Sequence, residues 1–230
     1  LVTRHFAYII ASPLVPKELK FEFDQKFKPR VALSIKAISI DPEKFKVTAS
    51  RQPIVELLTS LLKSRLLPRN GGLGGIILEG ESGIGKSELV YNILSAAKVK
   101  FYKIPIDASI IEKEKLLLQA FNEGAVVVID EINSSPMMER LLNSLLMGKT
   151  PTGAPPEHPG FMVIGTQNPI TMSGRRAISP ALARRLITQE LPPYTQAEIV
   201  EILTTRGVNL VKAQAMAQAF ITQLAYANEH

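Results

Sequence analysis

A glycine-rich octapeptide at residues 80–87 carries the most specific chemical pattern in this sequence. Gly-Glu-Ser-Gly-Ile-Gly-Lys-Ser matches G-x-x-x-x-G-K-S at every defined position. Glycines let a backbone approach phosphate closely, and a helix that follows directs its positive end at the same anion. Lys86 would reach the β- and γ-phosphates of a nucleotide, and the Ser87 hydroxyl would hold Mg²⁺. An ordinary glycine-rich turn is the alternative. The residues that we expect to contact nucleotide are Gly80, Glu81, Ser82, Gly83, Ile84, Gly85, Lys86, Ser87 and Glu88.

Two adjacent carboxylates, Asp130 and Glu131, follow the apolar run Ala-Val-Val-Val-Ile at residues 125–129. A buried parallel strand presents such residues at the edge of the sheet where ligands bind. Asp130 would orient Mg²⁺ through a coordinated water, and Glu131 would polarise the water that attacks the terminal phosphate. The alternative is an acidic cap for the helix that follows.

Polar residues also end a third apolar segment, Phe161–Pro169. Gln167 or Asn168 at its tip could donate a hydrogen bond to the terminal phosphate or to the attacking water. Because Asn-Pro is also common in simple turns, this segment alone leaves both interpretations open.

Adjacent arginines at positions 184 and 185 precede the last predicted strand. An arginine here could offset charge in a phosphoryl-transfer transition state. The spacing by itself favours an ordinary helix end with cationic residues.

Short apolar runs alternate with helical patterns from residue 74 onward, which predicts an α/β fold with a five-stranded, mainly parallel sheet between helices. The predicted strands are Gly75–Glu79, Phe101–Asp107, Ala125–Asp130, Phe161–Gln167 and Leu186–Leu191. The predicted helices are Pro53–Leu66, Lys86–Ala97, Glu112–Asn122, Pro136–Met147, Thr195–Thr205 and Leu210–Asn228.

The pattern becomes purely helical after Pro192 and Pro193. We therefore expect three parts: an accessory segment at 1–48 that is mixed or β-rich, a nucleotide-binding α/β core at 49–192, and a small helical domain at 193–230.

The composition limits the class of protein. No cysteine is present, so disulfides and thiolate metal sites are excluded, and a reducing compartment such as the cytoplasm is expected. No apolar run reaches the roughly 18 residues of a membrane-spanning helix. The net charge of +6 makes nucleic acid a conceivable partner, but the basic residues are scattered along the chain.

The ordered motifs at residues 80–87, 130–136, 165–169 and 179–186 together resemble AAA+ ATPases, and most closely the branch of MoxR chaperones, midasin and dynein. The resemblance covers about residues 49–194, with the helical tail as the lid of that family. It implies a P-loop ATPase that uses ATP and Mg²⁺ and works as an oligomer, in a ring whose subunits share active sites.

The resemblance also implies roles for single residues. Asn168 matches the sensor residue on the fourth core strand, and Arg185 is the best match to the arginine finger that enters the active site of a neighbouring subunit. Arg184 remains the alternative, because Ala183-Arg-Arg-Leu186 departs from the usual Arg-x-Arg-Phe. No second sensor arginine is assigned, since Arg206 is misplaced for that role.

The leading hypothesis is therefore Mg²⁺-dependent ATP hydrolysis that moves the core and lid and remodels a protein partner, as a chaperone does. A binding module gated by nucleotide with little hydrolysis is the second hypothesis. A nucleic-acid motor or loader is the third. A kinase is less favoured, because Glu131 suits the activation of water better than that of a substrate hydroxyl.

Overall fold

The computed structural model describes residues 40–41, 44–66, 74–132, 136–169 and 178–229, without the side chains of 136–137 and 225–229. Most of the predicted accessory segment at 1–48 lies outside these residues.

A five-stranded sheet with the order β2-β3-β4-β1-β5 forms the centre of the fold. Every pair of neighbouring strands is parallel. The α/β fold class predicted from the sequence is confirmed. The strands are β1 (Gly75–Glu79), β2 (Phe101–Ile104), β3 (Val126–Ile129), β4 (Met162–Gln167) and β5 (Leu186–Glu190).

Helices connect the strands and then continue beyond the sheet. They are α1 (Gln52–Ser64), α2 (Lys86–Ala96), α3 (Ile110–Asn122), α4 (Pro136–Leu146), α5 (Pro180–Ala183), α6 (Gln196–Thr205) and α7 (Leu210–Glu229). None of the helices described is both long and apolar enough to span a bilayer.

Two hydrophobic clusters pack against opposite faces of the sheet. Ile76 and Leu78 of β1 join the cluster that includes α1 and α2, whereas Ile77 joins the cluster that includes α3 and α4. This division follows from the alternation of side chains along a strand. Because both faces are covered, the central strands are apolar up to their carboxyl ends, as is typical of parallel sheets. The polar residues of β1 and β4, namely Glu79, Thr166 and Gln167, lie at those ends.

Most element boundaries differ from the sequence-based expectation by one to three residues, and two of the differences have a clear local cause. β2 was expected to reach Asp107 but ends at Ile104, because Pro105 has no backbone N–H to continue the hydrogen-bonded ladder. α3 begins at Ile110, two residues before the expected start at Glu112. A reciprocal capping box between Ser109 and Glu112 fixes this earlier start.

The last two helices pack against each other after β5. α6 begins with a second capping box, between Thr195 and Glu198. Ala213 and Ala217 of α7 are fully buried, and their small side chains allow close approach of the helices. The purely helical pattern predicted after Pro192 is therefore present in the structure.

Candidate active site

The loop that follows β1 has the backbone geometry of an anion site. Gly83 and Gly85 have φ angles of +81° and +78°, which only glycine adopts without strain. At Gly80 a Cβ would come within 2.7 Å of the carbonyl oxygen of Leu191. Gly85 caps α2 without any side-chain hydrogen bond, so the first N–H groups of the helix face the loop. A helix terminus of this kind suits phosphate oxygens.

Lys86 lies in the first turn of α2 and is only 8% exposed. Its Nζ donates hydrogen bonds to the carbonyl oxygens of Gly80 at 2.7 Å and Glu81 at 2.6 Å. It also donates to Oδ1 of Asn168 at 3.0 Å. The ammonium group is thus held between the carboxyl ends of β1 and β4.

Asp130 accepts hydrogen bonds from three hydroxyl groups. Its Oδ1 accepts from Ser87 Oγ at 2.6 Å and from Thr166 Oγ1 at 3.0 Å, and its Oδ2 accepts from the Tyr91 hydroxyl at 3.3 Å. Burial, followed by the negative charge of Asp130, raises the pKa of Tyr91, so this phenol stays a donor. Lys103 lies 4.0 Å from Oδ2 but is 58% exposed, which makes it a weak partner.

The Ser87–Asp130 pair fits a magnesium ion better than a transition metal. The two side chains supply hard oxygen ligands within contact of each other. Mg²⁺ is usually bound through one or two protein oxygens together with substrate phosphates and waters. Among the described residues there is no group of three or more His, Cys, Asp and Glu that could hold a metal alone. The donor set therefore suits a metal that arrives with a phosphate ligand.

Glu131 has a left-handed backbone, with φ of +54°. This conformation costs on the order of 1 kcal/mol in a residue with a side chain, and such strain is concentrated at functional sites. Glu131 directly follows Asp130, at the carboxyl edge of the sheet. The backbone turn here was not foreseen from the sequence, which carries no glycine or asparagine at this position.

Gln167 and Asn168 have different partners, although the residue pattern of this segment alone left both open as site residues. Asn168 binds Lys86, whereas Gln167 donates to the Glu79 carboxylate. Thr166, which the sequence analysis did not single out, contacts Asp130 instead. Its only signal in the sequence is its position at the end of β4.

Arg185 lies at the amino-terminal end of the strands, opposite the end that carries the nucleotide loop. It immediately precedes β5 and is level with Gly74, since Gly75 pairs with Leu186. Five strand residues at about 3.3 Å each separate that level from the loop after β1, a distance of roughly 16 Å. Its guanidinium donates to Asn143 Oδ1 at 3.3 Å and to the Ala181 carbonyl. Arg185 therefore does not join Lys86, Asp130 and Asn168.

The class of this site follows from a match to a known protein family. The model for the AAA domain of the dynein-related subfamily matches residues 75–186, from the first residue of β1 to the first residue of β5. This stretch is an AAA domain of the dynein-related subfamily.

Relatives agree with this assignment. Midasin of Giardia intestinalis is 28% identical over 176 residues, which is 65% of this chain and 4% of midasin. Midasin of Dictyostelium discoideum is 26% identical over 193 residues, which is 73% of this chain and 3% of that protein. The chain thus spans a small part of the length of these midasins.

Solved structures share the fold. Two variants of RuvB from Thermotoga maritima superpose with TM-scores of 0.52 and 0.51 at 22% identity. Each alignment covers 78% of this chain and 57% of the RuvB chain. The AAA domain is a P-loop ATPase domain, a class that binds nucleotide and generally forms oligomers.

Proposed function

We propose that the AAA domain hydrolyses ATP with Mg²⁺ and uses the cycle to remodel a protein partner. One observation carries the proposal: two hydrogen bonds, Lys86–Asn168 and Ser87–Asp130, join the first turn of α2 to the residues that directly follow β4 and β3. Glu131 stands beside this group. A bound nucleotide would supply the phosphoryl group, and Mg²⁺ would neutralise part of its charge.

We assign each of these residues a role from its chemistry and its position at this end of the sheet. The Lys86 ammonium group, which donates to the loop carbonyls in this structure, would instead donate to phosphate oxygens of a bound nucleotide. Ser87 and Asp130 hold the metal, and Asn168 orients the terminal phosphate or the attacking water. Glu131 accepts the proton of that water, so its carboxylate must be ionised.

Arg185 would act only on the site of a neighbouring subunit. It lies roughly 16 Å along the sheet from the loop of its own chain. A shared site explains why an oligomer would hydrolyse ATP faster than a monomer does. In this proposal, residues 49–192 form the core, and the helices after residue 193 form a lid whose movement passes force to the partner.

The test is ATP turnover with Mg²⁺ over a wide range of protein concentrations. We expect specific activity to rise with concentration and to fall at least about a hundredfold in Lys86→Ala, Glu131→Gln and Arg185→Ala. Glu131→Gln should still bind nucleotide. Mixing the Glu131 and Arg185 variants should restore part of the activity, because some interfaces then combine an intact Glu131 with an intact Arg185.

Exposed residues of the same types provide matched controls. Lys115→Ala, Glu114→Gln and Arg206→Ala change solvent-facing side chains and should leave turnover unchanged. Normal turnover in Glu131→Gln would reject the role of that carboxylate. Activity that is independent of concentration and unaffected by Arg185→Ala would reject the shared site.

A binding module gated by nucleotide, with slow hydrolysis, is the second candidate. It is favoured by the position of Arg206, which is the only arginine after Arg185 and the only candidate there for a second sensor. Arg206 is exposed at the far end of α6. That end is about 12 Å along the helix from Glu198, which contacts the core. Tight nucleotide binding without turnover at high protein concentration would support this candidate.

A further inference from the structure

A buried polar junction connects the residues before α1 to the residues before α6. Glu198, which is 7% exposed, accepts a hydrogen bond from the backbone N–H of Ser50 at 2.8 Å. The same carboxylate accepts from the backbone and hydroxyl of Thr195 at 2.9 Å and 3.1 Å. One side chain thus caps α6 and fastens it to a segment 148 positions earlier in the chain.

Arg51 is the centre of this junction. It is fully buried, and its Nη1 donates to the Pro192 carbonyl at 2.9 Å and to Ser50 Oγ at 3.1 Å. Its guanidinium carbon lies 4.0 Å above the centre of the Tyr194 ring. A stacked cation of this kind restricts both the tilt and the position of the ring. Lysine lacks the flat guanidinium that makes this contact.

Tyr194 extends the junction to the nucleotide loop. Its hydroxyl lies 3.7 Å from the point where a Cβ on Gly85 would stand, and Gly85 is the last glycine before Lys86. The 192–195 segment therefore places Tyr194 beside the loop and ends at Thr195, the N-cap of α6. Very few residues thus separate the loop from α6.

The guanidinium also has donors that this arrangement leaves unused. Nε and Nη2 of Arg51 are buried and have no hydrogen-bond partner among the described residues. Buried donors without acceptors are costly. A rearrangement of residues 192–195 that brought an acceptor to Nε or Nη2 would therefore stabilise the junction.

We infer that Arg51 is a positioning residue that holds Tyr194 against the nucleotide loop and makes nucleotide binding restrain α6. This inference rests on the proposed function, because it concerns the same nucleotide site. The coupling between the core and α6 is thus assigned to an arginine that precedes α1. Arg206, the arginine of the helical segment, lies at the other end of α6, far from the junction.

The experiment is hydrogen exchange of the full chain with and without Mg²⁺ and a non-hydrolysable ATP analogue. In the wild type we expect the analogue to slow exchange both at the loop, residues 80–88, and at α6. In Arg51→Lys and Tyr194→Ala, the loop should still be protected, whereas protection of α6 should fall by roughly tenfold. Tyr194→Phe keeps the ring stacked on Arg51 but removes the hydroxyl beside Gly85, so its protection of α6 should fall between those of the wild type and Tyr194→Ala.

Arg65 provides the matched control. It is also largely buried, and its Nη1 donates to the Gly124 and Gly160 carbonyls at 2.7 Å and 2.9 Å, before β3 and β4. Arg65→Lys should lower the melting temperature without changing the effect of the analogue on α6. An equal loss of coupling in Arg65→Lys would show general destabilisation and overturn the inference.

The remaining outcomes separate the two proposals. Full protection of α6 by the analogue in both Arg51→Lys and Tyr194→Ala would overturn the inference while the ATPase proposal stands. If Arg51→Lys does not fold, the Tyr194→Ala and Tyr194→Phe pair decides the matter, because Tyr194 is partly exposed. If the analogue protects no loop residue in the wild type, the proposed function fails and the inference fails with it.

Discussion

Replacement of Glu198 by glutamine tests the junction between the core and α6 through its dependence on pH. Burial works to raise the pKa of Glu198, but hydrogen bonds from Ser50 and Thr195 outweigh it and lower the pKa from 4.5 to about 2. The ionised carboxylate therefore stabilises the folded state above pH 4.5. That contribution is lost as the pH falls from 4.5 toward 2.

The size of the effect follows from the lowered pKa. One pKa unit corresponds to about 1.4 kcal/mol, so the full change is worth about 3 kcal/mol. Contact of the carboxylate with solvent reduces this, and we expect about 2 kcal/mol. Glu198→Gln should therefore be less stable than the wild type by about 2 kcal/mol at pH 7, because an amide offers one oxygen and an N–H group to donors. The difference should shrink to less than half by pH 3.

Urea unfolding followed by circular dichroism measures this difference, since the sequence contains no tryptophan. Both proteins are compared at pH 7, 5, 4 and 3, so that titration of the other carboxylates affects them equally. Glu114→Gln, an exposed change on α3, is the control and should match the wild type throughout. A stability difference between Glu198→Gln and the wild type that stays constant from pH 7 to pH 3 would refute the reasoning.

Three further predictions concern the core, the turns and the metal site. Phe121→Ala removes a side chain that is 1% exposed and should cost about 3–5 kcal/mol in urea unfolding. Gly124→Ala should be far more damaging to the melting temperature than Gly148→Ala: both glycines have positive φ, but only at Gly124 would a Cβ meet a backbone oxygen, at 2.1 Å. Ser87→Ala should raise the Mg²⁺ concentration needed for half-maximal binding of fluorescent ATP about tenfold, and an unchanged requirement would argue against a metal-binding role.

The strands and most of the helices could be predicted because their signals are local. β1 has the expected bounds, Gly75–Glu79, since an apolar run lies between glycines and the phosphate-loop motif. The early start of α3 could also have been predicted, because Ser109 and Glu112 stand at capping-box spacing. The arginines at 184 and 185 indicated a helix end, but the short helix α5 was given no bounds, because four residues carry too little periodicity.

The motif residues of the site could be proposed from the sequence, but their partners could not. Contact between Lys86 and Asn168 depends on the strand order, which places β4 beside β1. No local signal in the sequence links Arg51 to Tyr194 and Glu198. Its members look like an ordinary helix start, a loop aromatic and a capping glutamate until the fold brings them together.

The left-handed backbone of Glu131 affects the outcome of any selection of this protein for thermal stability. Glycine adopts such a φ angle freely, so Glu131→Gly should relieve strain and stabilise the fold by about 1 kcal/mol. A screen that scores survival alone would then enrich variants without the carboxylate that we assign to the activation of water. Such a library would yield more stable proteins without ATPase activity, so each round of selection would also need a measurement of turnover.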